Sequence, residues 1–256
     1  MEVHHHPHVH TKKFKEYFLE FLMIFLAVTM GFLAESLREH MTEKKKEKEY
    51  IRGIVADLVT DTGTLTHVIK YYNHIIPLVD SGRKNFHKLQ EPQALHTVGQ
   101  LQVSMAGFED FIYTDATLQQ IKSSGGMLLI RNKAVVDTIL YYDAKVKAAL
   151  INERVLGELL ISIQHEMGGL LDMQPLMETA GRVKDPLRQK AIVDSLNKSS
   201  TGFLLTHDPI ITGQFYNDYS YYQTIATLVK LEMEGLKKQA TNSIAFLTRE
   251  YKLEKE

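Results

Sequence analysis

The chain has 256 residues, of which 44% are hydrophobic and 24% are charged, a composition typical of a folded protein with one or two domains. Its formal net charge of −1 at pH 7 offers no basic surface for a phosphate backbone, so we expect no nucleic-acid partner. The absence of cysteine excludes thiol nucleophiles, disulfides and thiolate metal sites.

A histidine-rich tail, residues 1–13, opens the chain. Its candidate metal ligands are His4, His5, His6, His8 and His10. Clustered imidazoles can hold zinc, copper or nickel. However, a short tail that contains a proline has no surrounding groups to orient these rings. A solvated tail that binds metal adventitiously is therefore the simpler interpretation, and a dedicated metal site is the alternative.

The next segment, residues 14–36, contains an apolar run without any charge from Phe21 to Ala34. About 18 largely apolar residues span roughly 27 Å, just short of the roughly 30 Å hydrocarbon core of a bilayer, so the run can barely cross it. The run predicts a single transmembrane helix that acts as a signal anchor. A cleavable signal peptide is one alternative, although Phe32 would stand where cleavage requires a small residue. A helix buried in a protein core is the other.

Basic residues on both sides of the run bear on its orientation. Lys12, Lys13 and Lys15 precede it. Five basic residues follow between Arg38 and Lys48, and this local count alone favours a cytoplasmic domain. Long folded domains nevertheless translocate largely regardless of charge. We therefore expect a single-pass protein of a bacterial inner membrane whose folded domain lies in the periplasm.

Glu20 and Glu35 lie near the two ends of the predicted membrane helix. They are 15 residues, or about four turns, apart, so both can occupy one helix face. Because ionisable residues at membrane depth often serve function, one interpretation is a helix–helix contact or a proton-responsive pair in an oligomer. The other is that both side chains simply extend into the two interfaces.

Residues 37–76 combine a charged neck with an amphipathic helix. The neck contains no Gly or Pro up to Tyr50, which favours a helix that continues directly out of the membrane. Apolar residues then recur every three or four positions until the stripe ends near Pro77: Ile51, Ile54, Val55, Leu58, Leu65, Val68, Ile69, Tyr72 and Ile76. A helix this long needs a partner, so 50–76 is expected to pack against later helices or, as a coiled coil, against copies of itself.

The remaining residues, 77–256, predict further helices separated by turns. We expect one helix from Ala94 to Phe111. The next is expected to begin at an N-cap formed by Thr114 and to end in a left-handed cap formed by Gly125 and the glycine after it.

Three more helices are predicted after this turn. A long one runs from about Asn132 to a break at Gly168-Gly169, a short one is capped by Asp185, and a closing one of about 40 residues follows a cap at Asp208. Four tyrosines near its start are expected to pack against the neck: Tyr216, Tyr219, Tyr221 and Tyr222. The pattern predicts an all-α fold, in which a single N-terminal transmembrane helix continues into an elongated antiparallel helical bundle.

Patterns typical of enzymes are not found in the sequence. His165-Glu166 lacks the second histidine that a zinc protease needs four residues later, because Gly169 stands there. The soluble helices carry no paired Glu-x-x-His motifs of a di-iron bundle, and no nucleophile elbow is recognisable near His207. We therefore expect neither an enzyme nor a cofactor.

Two stretches of the chain resemble a known group of sequences. They are KEYFLEFLMIFLAVTMGFLAESLREHMTEKKKEKEYI, followed by VADLVTDT, and later LQQIKSSGGMLLIRN. In these residues the chain resembles a family of uncharacterised single-pass membrane proteins of Bacteroidetes, which share the histidine-rich start, hydrophobic anchor, charged neck and helical domain. The resemblance implies an inner-membrane protein and supplies no catalytic residues.

These features predict a non-enzymatic, membrane-anchored helical protein that acts in assembly or scaffolding, or that senses conditions in the envelope. Its expected partners are the lipid bilayer and either a second copy of the chain, as a homo-oligomer, or another envelope protein. The first alternative is a ligand- or metal-responsive sensor that uses the histidine tail or the tyrosine-rich helix. The second is a helical-bundle enzyme.

Overall fold

The computed structural model describes residues 14–91, 94–172 and 203–253, and most of these residues are helical. Within these ranges the α-helices are α1 (Phe14–Lys84), α2 (Leu95–Ser104), α3 (Ala116–Ser123), α4 (Lys133–Leu170) and α5 (Pro209–Glu250). Two short 3-10 helices are Phe86–Gln90 and Gly126–Leu129. Because the described residues contain no β-strand beyond one isolated bridge, the predicted all-α class is confirmed.

α1 is a single helix of 71 residues, about 106 Å long, whose two halves lie in different environments. Apolar side chains of the first half are exposed. From Ile51 onward, one stripe is buried against the other helices: Ile51, Ile54, Leu58, Leu65, Val68, Tyr72, Ile75 and Val79. Their spacing of three and four places them on one face, so tertiary burial rather than intrinsic propensity stabilises this half.

The predicted end of this stripe near Pro77 is wrong, because α1 continues through the proline to Lys84. A proline inside a helix provides no N–H for the carbonyl four residues earlier. That carbonyl belongs to Asn73, and both residues are exposed, so water can hydrogen-bond the released oxygen. Val79 and Gly82 remain buried and hold the last turns against the other helices.

Side-chain hydrogen bonds define how α5 lies on α1. The hydroxyl of Tyr251 donates to Glu47 near one end, and Arg83 donates to Gln223 near the other. In these contacts the residue numbers of α5 decrease as those of α1 increase, so the two helices run in opposite directions. Their contact extends over most of α5, which is why α5 is buried along one full face.

The other helices pack along the same axis. α4 runs opposite to α5, with Asn132 near Glu250 and Asn152 donating to Glu232 at 2.7 Å. The chain from α2 to α3 runs back along α1 towards the start of that helix. Its contacts are Gln100 with Ser81, Thr114 with Asp61, and Ser124 with Tyr50.

Three predicted helix boundaries are confirmed. Gly125 has a φ of +70° and forms the left-handed cap after α3. The side chain of Asn132 accepts a hydrogen bond from the N–H of Ala134 at the start of α4, and Asp208 accepts one from Ile210 at the start of α5. α5 itself has 42 residues, close to the predicted length.

Two boundaries in the middle of the chain are wrong. α2 ends at Ser104 rather than at Phe111, and residues 105–115 form a segment without helix. Thr114 does not cap α3, because Asp115 occupies that position and the N–H of Thr114 donates to Asp61 instead. Long-range hydrogen bonds to this segment therefore replace the local ones that a helix would have formed.

The predicted break at Gly168-Gly169 is confirmed to within one residue, since α4 ends at Leu170. Both are exposed, so their missing side chains leave no gap in the core. The predicted cap at Asp185 lies outside the described residues.

Candidate functional site

The first half of α1 holds one window that is long and apolar enough to cross a membrane, as judged by length and composition. None of that window is buried within the fold, so the alternative of a core helix is wrong. The exposed side chains are Phe14, Tyr17, Phe18, Leu19, Phe21, Met23, Ile24, Phe25, Leu26, Val28, Met30, Phe32 and Leu33. Such a surface on all sides of a helix is typical of a membrane span or of a signal sequence.

The two glutamates of this half lie at different ends of the window and do not meet. Glu35 accepts a hydrogen bond from Arg38 at 2.6 Å, and both side chains are exposed. Glu20 is half-buried. At about 1.5 Å per residue, their separation along the helix is roughly 22 Å, so the two side chains cannot touch within one chain.

The predicted histidine ligands of the tail lie outside the described residues, and a metal site there stays a prediction. Within the described ranges, no group of three or more His, Asp or Glu side chains is arranged to hold a metal ion. His165 is exposed on α4, and Asp208 serves as a helix cap.

Carboxylates buried between the long helices are a second distinctive feature. Asp61 on α1 is 0% exposed and accepts hydrogen bonds from the N–H of Thr114 and the hydroxyl of Tyr142, both at 2.9 Å. Burial raises the pKa of Asp61, although these two hydrogen bonds oppose the shift. A cavity of about 20 Å³ next to it has room for one water molecule. Ser243 lines this cavity, and its hydroxyl has no hydrogen-bond partner among the described residues.

Glu153 on α4 is the second buried acceptor. It is 4% exposed and accepts the N–H of Phe111 at 2.8 Å. Burial raises its pKa to about 7, the hydrogen bond from Phe111 opposes this shift, and the nearby charge of Asp110 adds to it. The buried hydroxyl of Tyr72 has no hydrogen-bond partner among the described residues. Glu153 is thus a carboxyl group that gains and loses its proton near neutral pH.

Asp143 differs from these two because it is paired with cations. Lys122 and Lys147 lie 2.8 and 2.9 Å from its carboxylate. Burial alone would raise the pKa of Asp143, but the hydrogen bonds from the two lysines outweigh it and lower the pKa. This group therefore stays ionised and acts as a fixed charge.

An open groove lies outside Glu153, between residues 108–110 and α4. Its volume is about 320 Å³, and its walls include Phe108, Leu150 and Ile161. The ring of Phe108 packs so closely on Gly157 that a Cβ there would lie 3.0 Å from it. The surface of the groove is mainly apolar. Glu153, whose pKa is raised to about 7, also lines it.

Together the carboxylates hold the non-helical segment 105–115 in place. Asp57, Asp61 and Glu153 accept backbone N–H groups of this segment and the first turn of α3. A helix would satisfy these donors internally, and buried donors without partners are costly. The arrangement fixes the segment, and one of its members, Glu153, can take up a proton near neutral pH.

Sequence reasoning missed these carboxylates, although the sequence contains a signal for them. Asp61 stands in the buried stripe between Leu58 and Leu65, and Glu153 stands three residues before buried Leu156. A charged residue at a position that periodicity assigns to the core must be hydrogen-bonded or paired. Gaps in the apolar spacing would therefore have pointed to both residues.

Comparison with known proteins finds no matching family model, no matching curated protein and no matching solved structure. The resemblance to the Bacteroidetes membrane family accordingly stays a prediction. Function is argued below from the chain's own residues.

Proposed function

We propose that the protein is a non-enzymatic, single-pass protein of a bacterial inner membrane, whose periplasmic helices act in assembly or sense conditions in the envelope. The observation that carries this proposal is the continuity of α1. One helix has an exposed apolar first half and a second half in the centre of the packed helices. A displacement of these helices is therefore passed directly to the bilayer.

The directions of the long helices support an elongated antiparallel bundle as the folded domain. α5 opposes both α1 and α4, and the α2–α3 region returns along α1. The buried carboxylates support a sensing role, because they join backbone groups of one segment to helices that extend along the whole domain. Assembly is supported by the exposed apolar half of α1, which offers a surface to a second copy within the membrane.

Membrane integration is tested on the full chain by carbonate washing of pelleted membranes, with two matched variants of α1. Val28 and Val59 are both 53% exposed, but only Val28 lies in the apolar half. An arginine at membrane depth costs about 2.5 to 3.5 kcal/mol on insertion scales. Val28→Arg should move a large fraction of the protein out of the membrane pellet, and Val59→Arg should not. Full-length, uncut wild-type protein in the supernatant would refute the anchor.

Reporter fusions at both ends of the chain test the sidedness, and a cytoplasmic read-out from the C-terminal fusion would reverse the proposed topology. The assembly role is tested by the mass of the detergent-solubilised protein. A strict monomer over a wide concentration range would exclude it.

A ligand-responsive sensor is the second candidate, and the groove beside Glu153 favours it. The metal-responsive version is tested by titrating zinc into the full chain and into a variant without residues 1–13. An unchanged affinity would remove the histidine tail from consideration.

A further inference from the structure

The packed helices begin close to the membrane end of α1. Arg131, which precedes α4, donates to Glu43 at 3.0 Å and lies 3.1 Å from a ring nitrogen of His40. Its backbone N–H donates to Glu47, which also accepts the hydroxyl of Tyr251 just after α5. These contacts join the start of α4 and the end of α5 to the neck of α1. We call residues 40–50, 126–133 and 249–253 the membrane-proximal end.

The helix rise gives the height of this end above the bilayer. A hydrocarbon core of about 30 Å, centred on the run from Phe21 to Ala34, has its outer edge about ten residues beyond the centre, near Leu37. His40 and Glu43 then lie roughly 4 and 8 Å beyond that edge. Because the headgroup layer is about 5 to 8 Å thick on each side, the guanidinium of Arg131 stands at the level of the headgroups.

At the membrane-proximal end, basic side chains outnumber acidic ones on the exposed surface. Glu43 and Glu47 are half-buried and turn towards the packed helices, where Arg131 and Tyr251 bind them. The exposed basic side chains are Lys44, Lys45, Lys46, Arg131, Lys133, Arg249 and Lys252, and the exposed acidic ones are Glu49 and Glu250. The surface left to solvent is therefore more basic than the near-neutral chain as a whole.

The membrane-proximal end also carries the most exposed large apolar side chain of the described residues, Leu128, which is 89% exposed. It lies on the 3-10 turn Gly126–Leu129, where Gly126 packs on the ring of Tyr50. A helix beside α1 lies about 8 to 10 Å from its axis, so a tilt of about 20 to 40° lowers the turn by roughly 3 to 6 Å. Gly126 contacts Tyr50 and the N–H of Arg131 donates to Glu47, and Tyr50 and Glu47 lie roughly 19 and 14 Å beyond the hydrocarbon edge. Such a tilt therefore moves Leu128 towards the headgroup layer.

We propose that the membrane-proximal end docks on anionic lipid headgroups of the bilayer that holds α1. The exposed lysines bind lipid phosphates, and Leu128 faces the headgroup layer beside them. This inference rests on the proposed membrane anchor and names what the domain contacts there. Docking fixes the tilt of α1, so a change in lipid charge changes the orientation of the whole domain relative to the membrane.

The absence of cysteine makes a site-specific test direct. Leu128→Cys in the full chain is labelled with an environment-sensitive fluorophore and reconstituted into vesicles of phosphatidylglycerol with phosphatidylcholine that carry a headgroup-attached quencher. The control is Ile112→Cys, which is 73% exposed but lies on the segment held by Asp61, roughly 35 Å beyond the hydrocarbon edge. We expect quenching several-fold stronger at Leu128 than at Ile112. Equal quenching at the two positions would overturn the docking.

The role of lipid charge is read from the same label. In vesicles of phosphatidylcholine alone, or in about 1 M salt where the Debye length is about 3 Å, the quenching at Leu128 should fall towards the control. Lys45→Gln/Lys46→Gln should produce the same fall, whereas Lys237→Gln/Lys238→Gln on α5 should not. An equal effect of the two pairs would show a general charge effect and would contradict the assignment of this surface.

Flotation of the same vesicles after a carbonate wash distinguishes failure of the anchor from failure of the docking. A chain that floats but gives equal quenching at the two labels retains the anchor and loses the docking. A chain that stays at the bottom of the gradient refutes both.

Discussion

Glu153 is a buried carboxyl whose pKa, raised to about 7, makes the stability of the fold depend on pH. A carboxyl with a raised pKa binds its proton more tightly in the folded state than in the unfolded one. Its favourable contribution is therefore complete below about pH 4.5 and is lost as the pH rises through about 7. Each pKa unit corresponds to about 1.4 kcal/mol, so ionisation of Glu153 lowers the free energy of unfolding by at most about 3 kcal/mol at pH 8.

Replacing Glu153 by glutamine keeps the shape of the side chain and an oxygen that can accept the N–H of Phe111. We expect Glu153→Gln to be more stable than wild type at pH 8, by up to about 3 kcal/mol, and to lose most of this advantage at pH 5. The contribution of Asp61 cancels in the difference between the two proteins.

The measurement is urea unfolding of the full chain in a mild detergent, followed by far-UV circular dichroism at several pH values. Glu158→Gln is the matched control, because Glu158 lies on the same helix and is exposed. Its stability should follow wild type at every pH. A stability difference between Glu153→Gln and wild type that does not vary between pH 5 and 8 would refute the titration of Glu153.

Three further substitutions are tested by the same unfolding assay at pH 7. Pro77→Ala should raise the free energy of unfolding by about 2 kcal/mol, because the helix regains a hydrogen bond; a loss of stability would contradict this. Asp61→Ala should lower it by about 2 to 4 kcal/mol, since two donors lose their acceptor, and a neutral result would show that water replaces it. Gly82→Ala should cost about 1 to 3 kcal/mol, because its Cβ would lie 2.6 Å from the hydroxyl of Tyr219; unchanged stability would show that this ring moves freely.

The long helices could be predicted from sequence because their signals are local and repeated. Regular apolar spacing identifies the buried face of α1, and the caps at Asn132 and Asp208 use a side chain and an N–H two residues away. Gly125 is predictable for the same reason, because a left-handed residue after a helix favours glycine whatever the tertiary fold.

The segment 105–115 could not be predicted in this way, because its hydrogen-bond partners are distant in sequence. Phe111 donates to a carboxylate 42 residues later, and Thr114 donates to one 53 residues earlier. A window of 10 to 20 residues contains neither partner, and within it the pattern of apolar residues resembles a helix. The buried carboxylates of the candidate site were missed for the same reason.

Under the proposed sensing role, the position of these carboxylates limits what a signal can do. Asp61 lies on α1 itself, and the neck between residues 37 and 50 contains no glycine or proline at which the helix could bend. A change in protonation or packing at Asp61 therefore moves a helix that is continuous with the apolar half, and the movement arrives there as a shift, tilt or rotation. A flexible neck would absorb the same movement. For this reason, insertion of two glycines after Lys46 should separate any response of the apolar half of α1 from events in the packed helices while leaving both halves folded.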